Sequence, residues 1–285
     1  MTASYRIVAR DRVDQLGEGP YWSVSEGALY WVDILDRRVN RLSLSTGRVD
    51  CFMVPERIGW LIERAGGGFI AGLKSGFAEL DLDPFVVRPI ASPEPDRLEN
   101  RMNDAKADPF GNIYAGTMPD DDAKGEGSLY RLAPDRGISV VDSGYGIANG
   151  PAICPDGRTL FHADSARRTV YRIVLGAGGM IVSRDIFLRF QVADGRPDGM
   201  TIDSQNGLWI AHWGAGRVSR FLMDGTLDRT VKLPASQITS LTFGGSGLDR
   251  LFVTSAAAGV NEPTAGVLFE LDVGVSGLPP CKFAG

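Results

Sequence analysis

Histidine and cysteine are both scarce in this chain, and the scarcity narrows its chemistry before any motif is considered. Two histidines, His162 and His212, occur in 285 residues. They cannot build a histidine-rich zinc centre, and no H-E-x-x-H pair occurs. A Ser-His-Asp triad would have to recruit one of them from an apolar run, Leu160-Phe161-His162-Ala163 or Ile210-Ala211-His212, where a packed polar group is expected instead. A G-x-S-x-G nucleophile elbow is also missing. The three cysteines, Cys51, Cys154 and Cys281, are odd in number and scattered, so no disulfide framework is expected and a cytoplasmic address is.

Other absences point the same way. No apolar run approaches the length of a membrane span, and the start, Met1-Thr2-Ala3-Ser4-Tyr5, lacks the pattern of a signal peptide. The net charge is −5, with acidic and basic residues dispersed, which argues against nucleic acid or an anionic membrane as partner. Amphipathic helical periodicity is missing too. Glycine is plentiful, at 36 residues without a collagen-like period, as a fold rich in tight turns requires.

What the chain has is a repeat. Met200-Thr201-Ile202 and Leu208-Trp209-Ile210-Ala211 read as two short strands joined by a turn at Asn206-Gly207, a strong hairpin signal because both residues tolerate positive φ. Leu29-Tyr30-Trp31-Val32-Asp33, Phe69-Ile70-Ala71-Gly72, Ile113-Tyr114-Ala115-Gly116, Leu160-Phe161-His162-Ala163-Asp164 and Leu251-Phe252-Val253-Thr254 follow glycine-bearing turns in the same way. Tyr30, Ile70, Tyr114, Phe161, Trp209 and Phe252 are then equivalent, with spacings of 40, 44, 47, 48 and 43 residues. A further alternating strand follows each. Periods of this size without helices are those of propeller blades, and six of them predict an all-β, six-bladed β-propeller, one domain spanning residues 1–285. The sixth repeat ends near Val273, one strand short. Tyr5-Arg6-Ile7-Val8-Ala9 is expected to complete it and close the ring.

Counting back eleven or twelve residues from each marker reaches the entrance of the preceding strand. The residues found there are Glu18, Gly59, Asn103, Asn149, Asp198 and Ser240. Four of the six are carboxylates or carboxamides. If that strand is the innermost of its blade, their side chains converge on the propeller axis as a ring of oxygen donors. Glu18, Asn149 and Asp198 then supply two carboxylates and an amide oxygen for one divalent cation. Oxygen ligation favours Ca²⁺, Mg²⁺ or Mn²⁺, with Zn²⁺ or Fe²⁺ possible. Three protein ligands leave positions open for water and substrate. Arg101, with its fixed fork of donors, suits a hydroxylated or anionic ligand; an ion pair with Glu99 or Asp104 is the alternative. The run from Pro119 to Glu126 fails the EF-hand template, with Lys124 and Arg131 at the fifth and twelfth positions counted from Asp120, and reads as a solvated loop.

Gly17-Glu18-Gly19-Pro20, Arg101-Met102-Asn103-Asp104, Ala115-Gly116-Thr117-Met118, Asn149-Gly150, Pro197-Asp198-Gly199-Met200 and Phe243-Gly244-Gly245 resemble, in order and over most of the chain, the gluconolactonase/regucalcin (senescence-marker-protein) family of six-bladed propellers. The resemblance implies that Glu18, Asn149 and Asp198 bind one divalent metal and that Arg101 and Asn103 contact substrate. It also implies an acid shortly after the G-T-M turn, which Asp121 fits best, with Asp120 close by. The implied reaction is hydrolysis of a sugar lactone, a small-molecule partner, with the metal holding the lactone carbonyl and Asp198, or a carboxylate beside the metal, taking a proton from water. A monomer is expected. The rival readings are a non-catalytic calcium-binding regulator and a metal-dependent phosphotriesterase-like hydrolase.

Overall fold

The computed structural model describes residues 4–120 and 125–285, and their strands form six four-stranded antiparallel sheets, the blades of a six-bladed β-propeller. Blade one is Gly17–Ser23, Ala28–Asp33, Arg38–Ser43 and Val49–Met53; blade two is Ile58–Glu63, Phe69–Leu73, Gly76–Leu82 and Phe85–Ala91. Blade three is Asn100–Ala107, Ile113–Pro119, Gly127–Leu132 and Ile138–Tyr145; blade four is Ala148–Ile153, Thr159–Asp164, Thr169–Leu175 and Ile181–Arg189. Blade five is Arg196–Ile202, Leu208–Trp213, Arg217–Phe221 and Leu227–Lys232. Blade six takes Ile238–Gly244, Arg250–Ser255 and Phe269–Asp272 from one end of the chain and Ser4–Ile7 from the other, paired from Ser4 opposite Asp272 to Ile7 opposite Phe269. Among the described residues no helix is long and apolar enough to cross a membrane.

Burial identifies the innermost strand of each blade. First strands are buried almost throughout, whereas the fourth strands Phe85–Ala91 and Leu227–Lys232 are largely exposed. All six marker residues are at most 2% exposed, so the repeat seen in sequence is the packing of second strands into the blade interfaces.

The backbone groups into two compact units, Met1–Met53 with Phe190–Pro280, and Val54–Arg189 with Cys281–Gly285. In the first, the inner strand of blade six touches those of blades one and five. A Cβ on Gly199 would collide with Ser240, so glycine there permits that approach. In the second, the inner strand of blade three touches those of blades two and four. The tail beyond the last repeat is used here: Phe283 is fully buried, its N–H donating to the Glu63 carbonyl (2.9 Å) and its carbonyl accepting from Ala65 N–H (2.8 Å).

The Asn206-Gly207 turn works differently from the expectation. Asn206 has φ of 59°, but Gly207 does not adopt positive φ. Its missing side chain instead admits the Arg220 guanidinium, which a Cβ would strike. Arg220 Nε reaches buried Asp203 at 2.6 Å, and Asp203 also accepts from Trp209 Nε1 (2.8 Å) and Gly207 N–H (2.8 Å). The glycine is a packing requirement of a buried ion pair.

Candidate functional site

In all six blades the inner strand carries a β-bulge near its start: in blades one, three, four and five between Glu18 and Tyr21, Met102 and Ala105, Asn149 and Ala152, and Pro197 and Met200, and in blades two and six at Gly59 and at Thr239-Ser240. Glu18, Asn103, Asn149 and Asp198 sit at or inside these bulges. A bulge turns one side chain out of the pleat, which is how a strand that is otherwise core can present a polar group. All four are 4–5% exposed. Gly19 (φ 52°) and Gly150 (φ 57°), the residues after Glu18 and Asn149, occupy the left-handed region that glycine tolerates without strain.

The second unit brings Arg101, Asn103 and Asn149 together. Arg101 Nη1 donates to Asn103 Oδ1 (2.6 Å) and the Met102 carbonyl (3.0 Å); Asn103 Nδ2 donates to Asn149 Oδ1 (3.0 Å) and the Ala148 carbonyl (2.8 Å). Asn149 Nδ2 donates to Ser165 Oγ (3.1 Å), which fixes the amide with Oδ1 toward Asn103. Asp104, fully buried, has its carboxyl pushed up by burial and accepts from the backbone N–H groups of Ala105 and Gly150, steadying the loop that carries Asn149.

The carboxylate beside Arg101 is Asp120 (Nε to Oδ1, 3.0 Å), which also receives Lys74 Nζ (3.0 Å) and Arg57. Burial acts to raise its carboxyl, but Lys74, Arg101 and Arg57 together outweigh burial and hold it below the usual carboxylate range. Asp120 therefore belongs to a buried cluster rather than to the solvated loop read from its charge run. Asp121 lies outside the described residues. The pairing of Arg57 with Asp120, 63 residues apart, leaves no local sequence signal.

The first unit holds Glu18 and Asp198. The Glu18 carboxylate accepts from Gly19 N–H (3.0 Å), and Thr239 Oγ1 donates to the Gly17 carbonyl (2.6 Å) one residue earlier. Asp198 follows Pro197, whose cross-strand partner is His212. A recurrent clamp, missed in the sequence reading, holds the approach to these positions. Three residues after the marker, Asp33 accepts from Gln15 and Leu16 N–H, and Asp164 accepts from Gly146 and Ile147 N–H. At the same step His212 Nδ1 bonds the Asp194 carbonyl (2.8 Å). The aspartates of Trp31-Val32-Asp33 and His162-Ala163-Asp164 were visible in sequence; their spacing from the marker was the available signal.

Both histidines are fully buried, with His162 edge-on to Tyr145 (4.5 Å) and His212 to Phe190 (5.0 Å), and burial pushes both imidazoles down to about 4. The unfolded chain protonates them near pH 6.5, so their contribution to stability is complete above that pH and is lost as pH falls toward 4. We expect the thermal midpoint to drop over this window, with about 3 kcal/mol attributable to each imidazole. His162→Gln or His212→Gln should flatten the pH dependence of the midpoint, and an unchanged slope would contradict the burial effect.

A family model described as "SMP-30/Gluconolactonase/LRE-like region" matches residues 16–257. The chain belongs to this family. It is 36% identical over 279 residues to the pentonolactonase XacC of Haloferax volcanii, with 93% of each chain covered. It is 34% identical over 277 residues to a 6-deoxy-6-sulfogluconolactonase of Pseudomonas putida, with 95% of each covered. The crystal structure of a calcium-binding protein, regucalcin, from Agrobacterium tumefaciens superposes with a TM-score of 0.94 at 27% identity, covering 100% of this chain and 99% of that one.

Among the described residues no three His, Cys, Asp or Glu side chains gather as a metal-binding group. The set read from sequence differs in kind, since one of its three donors is an amide. Ser165 is therefore informative about this family member: Ser165→Ala removes the bond at Nδ2 that, with the Asn103 bond at Oδ1, orients the Asn149 amide. Loss of such an orienting bond is expected to weaken divalent-cation binding about tenfold while leaving the fold intact. Calorimetric titration with Ca²⁺ checks this, and an unchanged affinity would remove the amide from the ligand set.

Proposed function

We propose that this protein is a metal-dependent sugar lactonase that opens an aldonolactone to the aldonic acid, its 285 residues acting as one propeller domain. The observation that carries the reading is the common bulge position of Glu18, Asn103, Asn149 and Asp198, each buried on an inner strand. The lactonase relatives, similar over nearly the whole chain, support the same reaction class.

In this reading Glu18, Asn149 and Asp198 hold one divalent cation. Two carboxylates and an amide oxygen are a hard donor set that suits it, and the Ser165 bond to Asn149 presents the amide by its oxygen. The calcium-binding regucalcin structure favours Ca²⁺ among the candidates. A bound cation would polarise the lactone carbonyl and make a nearby water more acidic. The remaining work falls to the chain. Asp198 accepts the proton of the attacking water at a carboxylate oxygen. Arg101, locked by Asn103 and Asp120, orients the sugar hydroxyls.

A screen of pentono- and hexonolactones, with the protein stripped of metal and reloaded with Ca²⁺, Zn²⁺, Mg²⁺, Mn²⁺ or Fe²⁺, tests this. Turnover should vanish on chelation and return with at least one cation. Calcium binding without turnover of any lactone would instead favour a non-catalytic calcium-binding protein, the reading that the regucalcin likeness also supports.

A further inference from the structure

We propose that Thr239 and Thr254, two buried hydroxyls of blade six, are positioning residues for the cation site: they hold the backbone that aims Glu18. The inference rests on the reading that Glu18 and Asp198 share a divalent cation, and it adds the groups that fix the Glu18 side. Glu18 lies between two glycines, the residues with the widest backbone freedom, and Gly19 is in the left-handed region at φ 52°. The Glu18 carboxylate accepts from the Gly19 N–H (3.0 Å), a bond within the same turn, so the direction of the side chain follows the direction of the turn. The turn is held from the neighbouring blade. Thr239 Oγ1 donates to the carbonyl of Gly17 at 2.6 Å.

The protons of this contact can be assigned. A carbonyl only accepts, so the single proton of the Thr239 hydroxyl is committed to Gly17. The Thr254 hydroxyl, 2.8 Å from Thr239 Oγ1, is then the donor between the two, and it accepts in turn from the Ser240 N–H (3.2 Å). The other acceptor within reach of Thr254, the Ser240 carbonyl, is farther at 3.3 Å. A directed chain results, from the Ser240 N–H through Thr254 and Thr239 to the Gly17 carbonyl, and each link polarises the next. Both threonines are at most 1% exposed, so solvent does not replace a lost link. Gly17 is also closely packed, since a Cβ there would come within 2.8 Å of Asp14 Oδ2 and the Ser255 carbonyl. The same bulge meets the turn of the other carboxylate. Ser240 follows Thr239, and a Cβ on Gly199, the residue after Asp198, would collide with it. One two-residue bulge thus abuts the residue before Glu18 and the residue after Asp198. Blade six has Ser240 where blades one and five have Glu18 and Asp198, and its part is to set where those two carboxylates stand.

The test is calorimetric titration of Ca²⁺ and Mn²⁺ into metal-stripped wild type, Thr239→Val, Thr239→Ser, Thr254→Val, Thr242→Val and Glu18→Ala. Valine keeps the branched shape of threonine and removes its hydroxyl, whereas serine keeps the hydroxyl. Thr239→Val should weaken cation binding about tenfold, and Thr239→Ser should stay within about twofold of wild type. Thr254→Val leaves the Thr239 bond to Gly17 in place and should weaken binding about threefold. Thr242 is a buried threonine farther along the same strand, and its valine variant should bind as wild type does. Equal affinities in wild type and Thr239→Val overturn the proposal. So does an equal loss in Thr239→Ser or Thr242→Val, which would make the effect one of packing. Should Thr239→Val fail to fold, Thr254→Val set against Thr242→Val decides by the same comparison. Wild type that binds neither cation overturns the metal reading, and this proposal with it. Binding kept in Glu18→Ala removes the group being positioned, with the same consequence. Binding lost in Glu18→Ala and kept in Thr239→Val overturns the positioning role alone.

Discussion

Asp198→Ala is expected to reduce lactone kcat/KM by about a thousandfold or more, the largest effect of any single substitution in this protein. Two losses combine. The substitution removes one of two carboxylates assigned to the cation and also the group assigned to take the proton from water. Asp198→Asn separates them, because it keeps an oxygen donor of the same size and removes the basicity. It should bind Ca²⁺ weakly yet measurably while remaining far below wild type in turnover. Glu18→Ala and Asn149→Ala should lower cation affinity in calorimetric titration and cost turnover that excess cation partly restores. The fold should survive all of these. The side chains stand at bulges, and the loops before them are tied by backbone bonds to Asp33, Asp164 and His212 rather than by the substituted groups. Wild-type cation affinity in Glu18→Ala would sink the ligand assignment, and wild-type turnover in Asp198→Asn would sink the base.

The architecture was legible because its cause is periodic. Each marker residue is buried within a second strand, so Tyr30, Tyr114, Phe161, Trp209 and Phe252 announce their blades by size and spacing alone. Counting back from them reached four carboxylate or carboxamide residues that the structure buries at bulges. What escaped depends on pairings between distant segments. Asp120 and Asp121 are neighbours in a charge run, and nothing local says that Asp120 meets Arg57, Lys74 and Arg101 from three other segments. Phe283 lies beyond the last repeat, where periodicity has no voice, yet it is fully buried against residues near position 64. Gly207 looked like turn chemistry and proved to be room for Arg220, a contact set by the blade's third strand.

Arg101→Ala carries the second large effect, a fall of about ten- to a hundredfold in lactone kcat/KM, or about 1–3 kcal/mol of transition-state stabilisation. The guanidinium is 7% exposed and bonded on two sides, to Asp120 through Nε and to Asn103 and the Met102 carbonyl through Nη1, so it is presented in one orientation. Its removal does not strand a bare buried charge, because Asp120 retains Lys74 and Arg57. The cost in stability should therefore stay near 1–2 kcal/mol rather than the 3–5 kcal/mol typical of a broken buried pair. Cation affinity should change much less than turnover. Asn103 keeps its bond to the Ala148 carbonyl, and Asn149 keeps Ser165, so the amide proposed for the cation stays in place after Arg101 is gone. Calorimetric Ca²⁺ affinity, thermal midpoint and kcat/KM on the same variant distinguish the outcomes. A proportional loss of cation binding and turnover would make Arg101 a support for the metal site. Wild-type turnover would take it out of the substrate's path altogether, leaving its pairing with Asp120 as a purely structural contact.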